Sequence, residues 1–199
     1  MNAVMKRMVV CAFLGANAYA VTALAGDDEA KEFRQQQQVL RITGGGAFYP
    51  CTIPATELGT TNGFCADADI IDLKTGEVVG TFTDALADQQ DTPDGGFVIT
   101  STPTFRLPGG DITSRARVAV IPVSDAARSL NAAVYNTSHV TAGIPTPGGA
   151  NNIMSATGRF SGATGQARVS GAISLATPGS EFFNCLFVLD LNVPRKAKH

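Results

Sequence analysis

Short runs of strand-forming residues, separated by Gly- and Pro-rich turns, set the pattern of this chain. The clearest hairpin runs from Phe97 to Leu107, turns at Pro108-Gly109-Gly110-Asp111 and returns from Ile112 to Ile121. A second pairs Ala68 to Leu73 with Val78 to Thr83 around Lys74-Thr75-Gly76-Glu77, a strong turn signal between two apolar runs. Val39 to Ile42 opens the first strand, and Gly44-Gly45-Gly46 interrupts it. Ala85 to Gly96 reads as a polar loop. After Pro122 the pattern weakens, and Ser124 to Ala133 reads as a short helix or a loop. Strands follow at Val134 to Ile144, Ile153 to Phe160 and Gln166 to Leu175, with a turn at Pro145 to Gly149. Pro178-Gly179 leads into the last strand, Glu181 to Val193. About eight strands joined by short turns close most naturally into an antiparallel β-barrel, with a sandwich as the alternative. The predicted fold is therefore an all-β, eight-stranded antiparallel barrel spanning residues 39–193.

In the last strand Phe183, Cys185, Phe187, Leu189 and Leu191 share one face. The other face, Phe182, Asn184, Leu186, Val188 and Asp190, is largely apolar as well. A strand apolar on both sides is covered on both sides. One face is expected to line the interior and the other to meet a second copy of the chain, since exposed apolar area of that extent marks an interface.

The amino-terminal segment follows a different pattern. Lys6 and Arg7 precede an uncharged run from Met8 to Gly26, and Ala23-Leu24-Ala25 is an A-x-A cleavage signal. Residues 1–25 read as a signal peptide. The alternative is a membrane anchor, but Gly15, Asn17 and Tyr19 dilute the run. The expected mature chain starts at Gly26, with a polar leader over 26–38, and no later segment is apolar enough to span a bilayer. Its tail, 194–199, is basic.

Composition agrees with an exported β protein. There are 21 Gly, 10 Pro and no Trp, and only 16% of residues are charged; turns and strands suit this mixture better than a helical bundle does. The interspersed charges leave no basic stripe, which argues against a nucleic-acid partner. Cys51, Cys65 and Cys185 follow the signal segment, and an oxidising compartment favours pairing. Cys51–Cys65 is the favoured bridge because it clips the Pro/Thr/Gly-rich segment between them, which has little packing of its own. Pairings with Cys185 are the alternatives. A metal site is not expected, because His139 and His199 are the only histidines and no paired Cys/His spacing exists.

The stretch Ala156-Thr157-Gly158-Arg159-Phe160-Ser161-Gly162-Ala163-Thr164-Gly165-Gln166-Ala167-Arg168-Val169-Ser170-Gly171 resembles the Gly-rich signature of the allene oxide cyclase and dirigent barrels. Gly76-Glu77-Val78-Val79-Gly80-Thr81, Thr104 to Gly110 and Ser138 to Pro145 are similar to other strands of that family, so the likeness spans roughly residues 65 to 192. The resemblance implies an eight-stranded barrel, often trimeric, with a cavity open at one end and no metal or organic cofactor. It also implies hydrophobic substrates, cyclised or steered in radical coupling. The plant catalytic residues are not found at matching positions, and the segment from Cys51 to Cys65 departs from the plant pattern. Independently of the family, Gly158, Gly162 and Gly165 read as structural glycines at a sharp corner.

Candidate chemistry is sparse. His139 is the one strand histidine able to act as an acid or base near neutral pH. Arg106 and Arg117, with Arg115, lie in the central hairpin, where they would clamp a carboxylate or line a solvated face. Asp69, Asn184 and Asp190 are polar positions in apolar strands and need partners if buried. These choices leave Asp69, Arg106, Arg117 and Asn184 as ligand-binding candidates. Three functions fit: a binding barrel for a small hydrophobic molecule, a cofactor-free cyclase or isomerase, and a structural or partner-binding exported protein. The lining of the interior distinguishes them. Polar groups converging in a deep cavity favour catalysis, a deep apolar cavity favours binding, and a filled interior favours a structural role.

Overall fold

The computed structural model describes residues 33–124, 137–143 and 151–195. The expected signal segment, leader residues 26–32, most of Ser124 to Ala133, the turn at Pro145 to Gly149 and tail residues 196–199 lie outside these. Among the described residues there are eleven strands: β1 (Phe33–Gly45), β2 (Tyr49–Thr52), β3 (Asn62–Ile71), β4 (Val78–Asp91), β5 (Phe97–Leu107), β6 (Gly110–Ser114), β7 (Ala116–Pro122), β8 (His139–Gly143), β9 (Ile153–Ala156), β10 (Thr164–Ser174) and β11 (Phe182–Pro194). Eight of them close a ring in the order β1, β3, β4, β5, β7, β8, β10, β11 and back to β1, every pair antiparallel. No helix among the described residues is long and apolar enough to cross a membrane.

Several expectations change; the expected strand Ile153 to Phe160, for one, ends at Ala156 and gives way to a 3-10 turn over Gly158–Phe160. First, the strand that begins the ring starts at Phe33, so leader residues 33–38 are part of it. The glutamine run Gln35 to Gln38 pairs residue for residue with β11, from Phe33 opposite Pro194 to Gly45 opposite Phe182. Backbone ladder bonds do not depend on side-chain polarity, and a long central strand needs a partner along its whole length. Second, the expected polar loop Ala85 to Gly96 is mostly strand. β4 continues to Asp91 through a bulge between Ala87 and Gln90, where Asp88 takes φ +54°; only Thr92 to Gly96 turns, closed by the Thr92 amide on the Gly96 carbonyl. Third, the expected strand Ile112 to Ile121 breaks at Arg115 and serves two neighbours. β7 joins β8, while β6 joins β9.

That break completes the far end of the ring. Beside β9, Asn152 donates from Nδ2 to the Ala167 carbonyl and accepts the Ala167 amide at Oδ1, so one side-chain amide stands in for a ladder residue of β10. Gly158 and Gly165 allow the corner. Gly158 has φ +57°, and a Cβ there would lie 2.0 Å from the Gly109 carbonyl oxygen. Gly165 has φ +135°, and its Cβ would lie 2.0 Å from that of Asp190. Gly162 sits between them at φ +74°.

Outside the ring β2 lies along β3, and the Cys51–Cys65 disulfide joins the two strands. The segment between these cysteines packs, contrary to the expectation of a loop with little packing of its own. Ile53 and Thr56 are buried. Arg115 donates to the Pro54 and Ala55 carbonyls, each at 2.7 Å, and to Thr102 Oγ1 at 3.0 Å. Thr60 donates to Asp88. The segment is a strap over the outer face of β5, and under it Thr100 and Thr102 are buried.

Candidate functional site

Alternation turns one face of each ring strand inward, and the interior so formed has two parts along its axis. At one end Phe105, Phe160, Ile112 and Leu189 are fully buried and, with Leu191, Val193 and Ile153, form a packed core. Phe82, Phe105 and Phe187 cap this core, their ring centroids 5.0–5.3 Å apart. Beyond them the interior is a cavity of about 400 Å³. Its wall is chiefly apolar, with Ile99, Val118, Val120, Val169 and Ile173 on the sides and Phe48, Phe64, Phe97 and Phe183 toward the rim. Phe64 is 58% exposed and marks where the cavity meets solvent.

Polar groups enter this wall at two levels. Asp84 follows Phe82 by two residues on β4, so it shares the inward face just above the aromatic floor. Ser101 Oγ donates to it at 2.8 and 2.9 Å from its two carboxylate oxygens. Asp84 lines the cavity, and desolvation pushes its carboxyl up to about 7 against the opposing bonds from Ser101 and the Thr102 amide. Among the described residues Cys185 is the free thiol, buried on β11 two residues above Phe187. Burial, and then the neighbouring Asp84 charge, pushes it up to about 12, so it stays a neutral thiol and a poor nucleophile. Glu181, just before β11, lines the cavity at the rim level; its Oε1 accepts the Gly179 amide at 3.1 Å. Its Oε2 is buried and has no hydrogen-bond partner.

None of the four ligand candidates read from the sequence lines this cavity. Asp69 is exposed on the outer face of β3. Asn184 points outward from β11 and accepts from Arg41 Nε at 3.1 Å. Arg117 holds the β4 bulge, donating to the Asp88 carbonyl, Thr100 Oγ1 and Gln90 Oε1. Arg106 donates to Thr83 Oγ1 at 2.8 Å and borders an outer groove of about 350 Å³ lined by Thr52, Thr83, Thr102, Thr104 and Thr113. His139 stands at the start of β8, with Nδ1 2.7 Å from Ser138 Oγ and its ring 6.4 Å from that of Phe97; it is not among the cavity-lining residues.

The interior polar residues Asp84, Ser101 and Glu181 were absent from the sequence candidates, yet a signal existed. Phe82, Asp84 and Leu86 keep the period of two past Thr83, placing a carboxylate in phase with the apolar face. Asp69 and Asn184 are out of phase with Ile70 and Cys185. Phase relative to the apolar face, rather than polarity in an apolar strand, separates the inward from the outward group.

No family model matches this chain, and no curated protein matches it at significant similarity.

Proposed function

We propose that the chain is an exported protein whose closed ring is a barrel of the allene oxide cyclase and dirigent kind, and that it binds a small hydrophobic molecule inside. The observation that carries the binding reading is the half-empty interior. Side chains pack one end of the ring, and about 400 Å³ remains above an aromatic floor, the shape and lining of a ligand pocket. A purely structural ring would gain from filling that space. Displacement of an environment-sensitive apolar dye tests it. Wild type is expected to bind the dye saturably. Ala66→Phe, which adds a ring at a cavity-lining position, is expected to weaken binding at least about tenfold by occupying the space. Dye binding unchanged by that substitution would remove the interior as the site.

One observation favours a second reading, the cofactor-free cyclase or isomerase. Asp84 stands near neutrality inside an apolar cavity, where a carboxyl both gives and takes a proton. In that reading Asp84 transfers the proton and Ser101 orients it. Mass spectrometry of the molecule co-purified from the native host, after incubation with wild type and with Asp84→Asn, separates turnover from binding: conversion by wild type that the variant loses supports this reading, and no conversion by wild type overturns it.

The outer face of β1, β11, β10, β8 and β7 supports assembly. Val39, Leu186, Val140 and Ile121 are each 42–46% exposed there, and Val188 lies between Val39 and Arg168 across the ladder. We propose that a second copy covers this face, as a trimer in keeping with the family likeness. Val188→Lys is expected to raise the dissociation constant at least about tenfold, because an unpartnered lysine would be buried at the contact. A monomeric mass for wild type by light scattering at micromolar concentration would overturn it.

A further inference from the structure

We propose that the cavity selects a hydrophobic amine, seating its ammonium at the rim between the Glu181 carboxylate and the Phe48–Phe183 ring pair, with the apolar body on the aromatic floor. The proposal rests on the binding reading above and names the class of molecule the cavity takes.

Charge gives the first argument. The described cavity wall holds the carboxyl groups of Asp67, Asp84 and Glu181, and no Lys, Arg or His. Asp67 turns its carboxylate outward, accepting from Tyr49 Oη and Thr83 Oγ1. The two that remain, Asp84 and Glu181, give the interior one sign. A bound carboxylate would meet like charge in a desolvated space, whereas an ammonium would be attracted.

The orphaned oxygen gives the second. Glu181 Oε2 is buried without a hydrogen-bond partner, and a buried carboxylate oxygen left without a donor is costly. An ammonium has three N–H donors and no acceptor, so it satisfies this oxygen and presents no lone pair to the carboxylate.

The aromatic rings give the third. Phe183 follows Glu181 by two residues, so both lie on the inward face of the same chain segment. Phe48 meets Phe183 edge to face, with centroids 5.7 Å apart. A carboxylate beside aromatic rings is the arrangement that recognises organic ammonium groups through charge and ring quadrupole together. From Glu181 to Cys185 the strand rises about 13 Å, and Asp84 acts electrostatically on Cys185. A chain of several carbons therefore fits between rim and floor, where Asp84 and Ser101 would accept or donate a hydrogen bond to a polar far end.

Calorimetric titration of the wild-type protein with decylamine, decanol and decanoate tests the assignment, since the three share one apolar chain. Decylamine is expected to bind at least about tenfold more tightly than decanoate, with decanol between them. Glu181→Gln is expected to bring the amine-to-decanoate ratio to within about twofold. Decanoate binding as tightly as decylamine would overturn the amine assignment while leaving the hydrophobic-binding reading intact. Failure of all three probes to bind would overturn both. Discrimination that survives Glu181→Gln would remove Glu181 as the ammonium anchor. The wild-type order of the three probes decides the class even if that variant does not fold.

Discussion

Asp84→Asn is expected to raise the melting temperature at pH 8 and to leave it nearly unchanged at pH 4. In the folded chain desolvation holds the Asp84 carboxyl at about 7, whereas an unfolded aspartate titrates near 3.9. The folded pKa is the higher one, so the folded state holds the proton more tightly. The stability this supplies is fully present below about pH 4, is lost as pH rises toward 7, and stays lost above. A difference of about three pK steps corresponds to roughly 4 kcal/mol across that window, as an order of magnitude. An amide of the same shape removes the ionisation. Ser101 Oγ, which donates to both carboxylate oxygens, can turn to donate to the amide oxygen or accept from its nitrogen. At pH 8 the gain is expected to be of order 2–4 kcal/mol, or roughly 10 °C for a domain of this size. Thermal melts of both proteins from pH 4 to 8 check this. A variant that melts lower than wild type at pH 8 and keeps the wild-type pH curve would show that Asp84 is stabilised, not strained, by its surroundings. A carboxylate held at such a cost in an interior that valine would fill is the behaviour of a functional group.

How much of this was readable in the sequence depended on which physical rule governed each element. β5 was predicted with its observed bounds, because Phe97 and Leu107 are flanked by Gly-rich turns that no tertiary contact overrides. The inward face of β11 followed from alternation alone, and the Cys51–Cys65 bridge from compartment and spacing. The polar part of β1 was not readable, because Gln35 to Gln38 carries no apolar signal and becomes strand through its ladder with β11. β4 beyond Thr83 was hidden by Asp84, Asp88 and Gln89-Gln90, which look like a loop until the bulge at Asp88 is known. The division of the interior into packed core and cavity was out of reach. It depends on which strand ends meet around the ring, and so on long-range register. The arginines show the same limit. Arg115 and Arg117 were read as a ligand clamp or a solvated face, and they hold backbone carbonyls of this chain instead.

Removing the disulfide is expected to cost about 3 kcal/mol of global stability while leaving the native ring intact. The bridge closes a loop with a sequence separation of 14 between Cys51 and Cys65, and constraining a loop of this length in the unfolded chain stabilises by roughly 3 kcal/mol in the chain-entropy model. The strap it closes has other anchors. Arg115 binds two of its carbonyls, Thr60 reaches Asp88, and its own Ile53 and Thr56 are buried. The Cys51→Ser, Cys65→Ser double variant should therefore keep the native near-ultraviolet signal and unfold at lower urea, with a similar slope. Among the described residues the remaining thiol, Cys185, is buried and pushed up to about 12, so exchange with it does not confuse the comparison. Arg115→Ala supplies the complementary arm. In the bridged protein the loss should be about 1–2 kcal/mol, the worth of charged hydrogen bonds to carbonyls that keep a partial water contact. In the unbridged protein the same substitution should cost more, because only Arg115, Thr60 and the short β2–β3 ladder then hold the segment, and the two losses should not add. Urea midpoints of the four proteins measure both effects. A loss below about 1 kcal/mol on removing the bridge would overturn the chain-entropy account of its contribution.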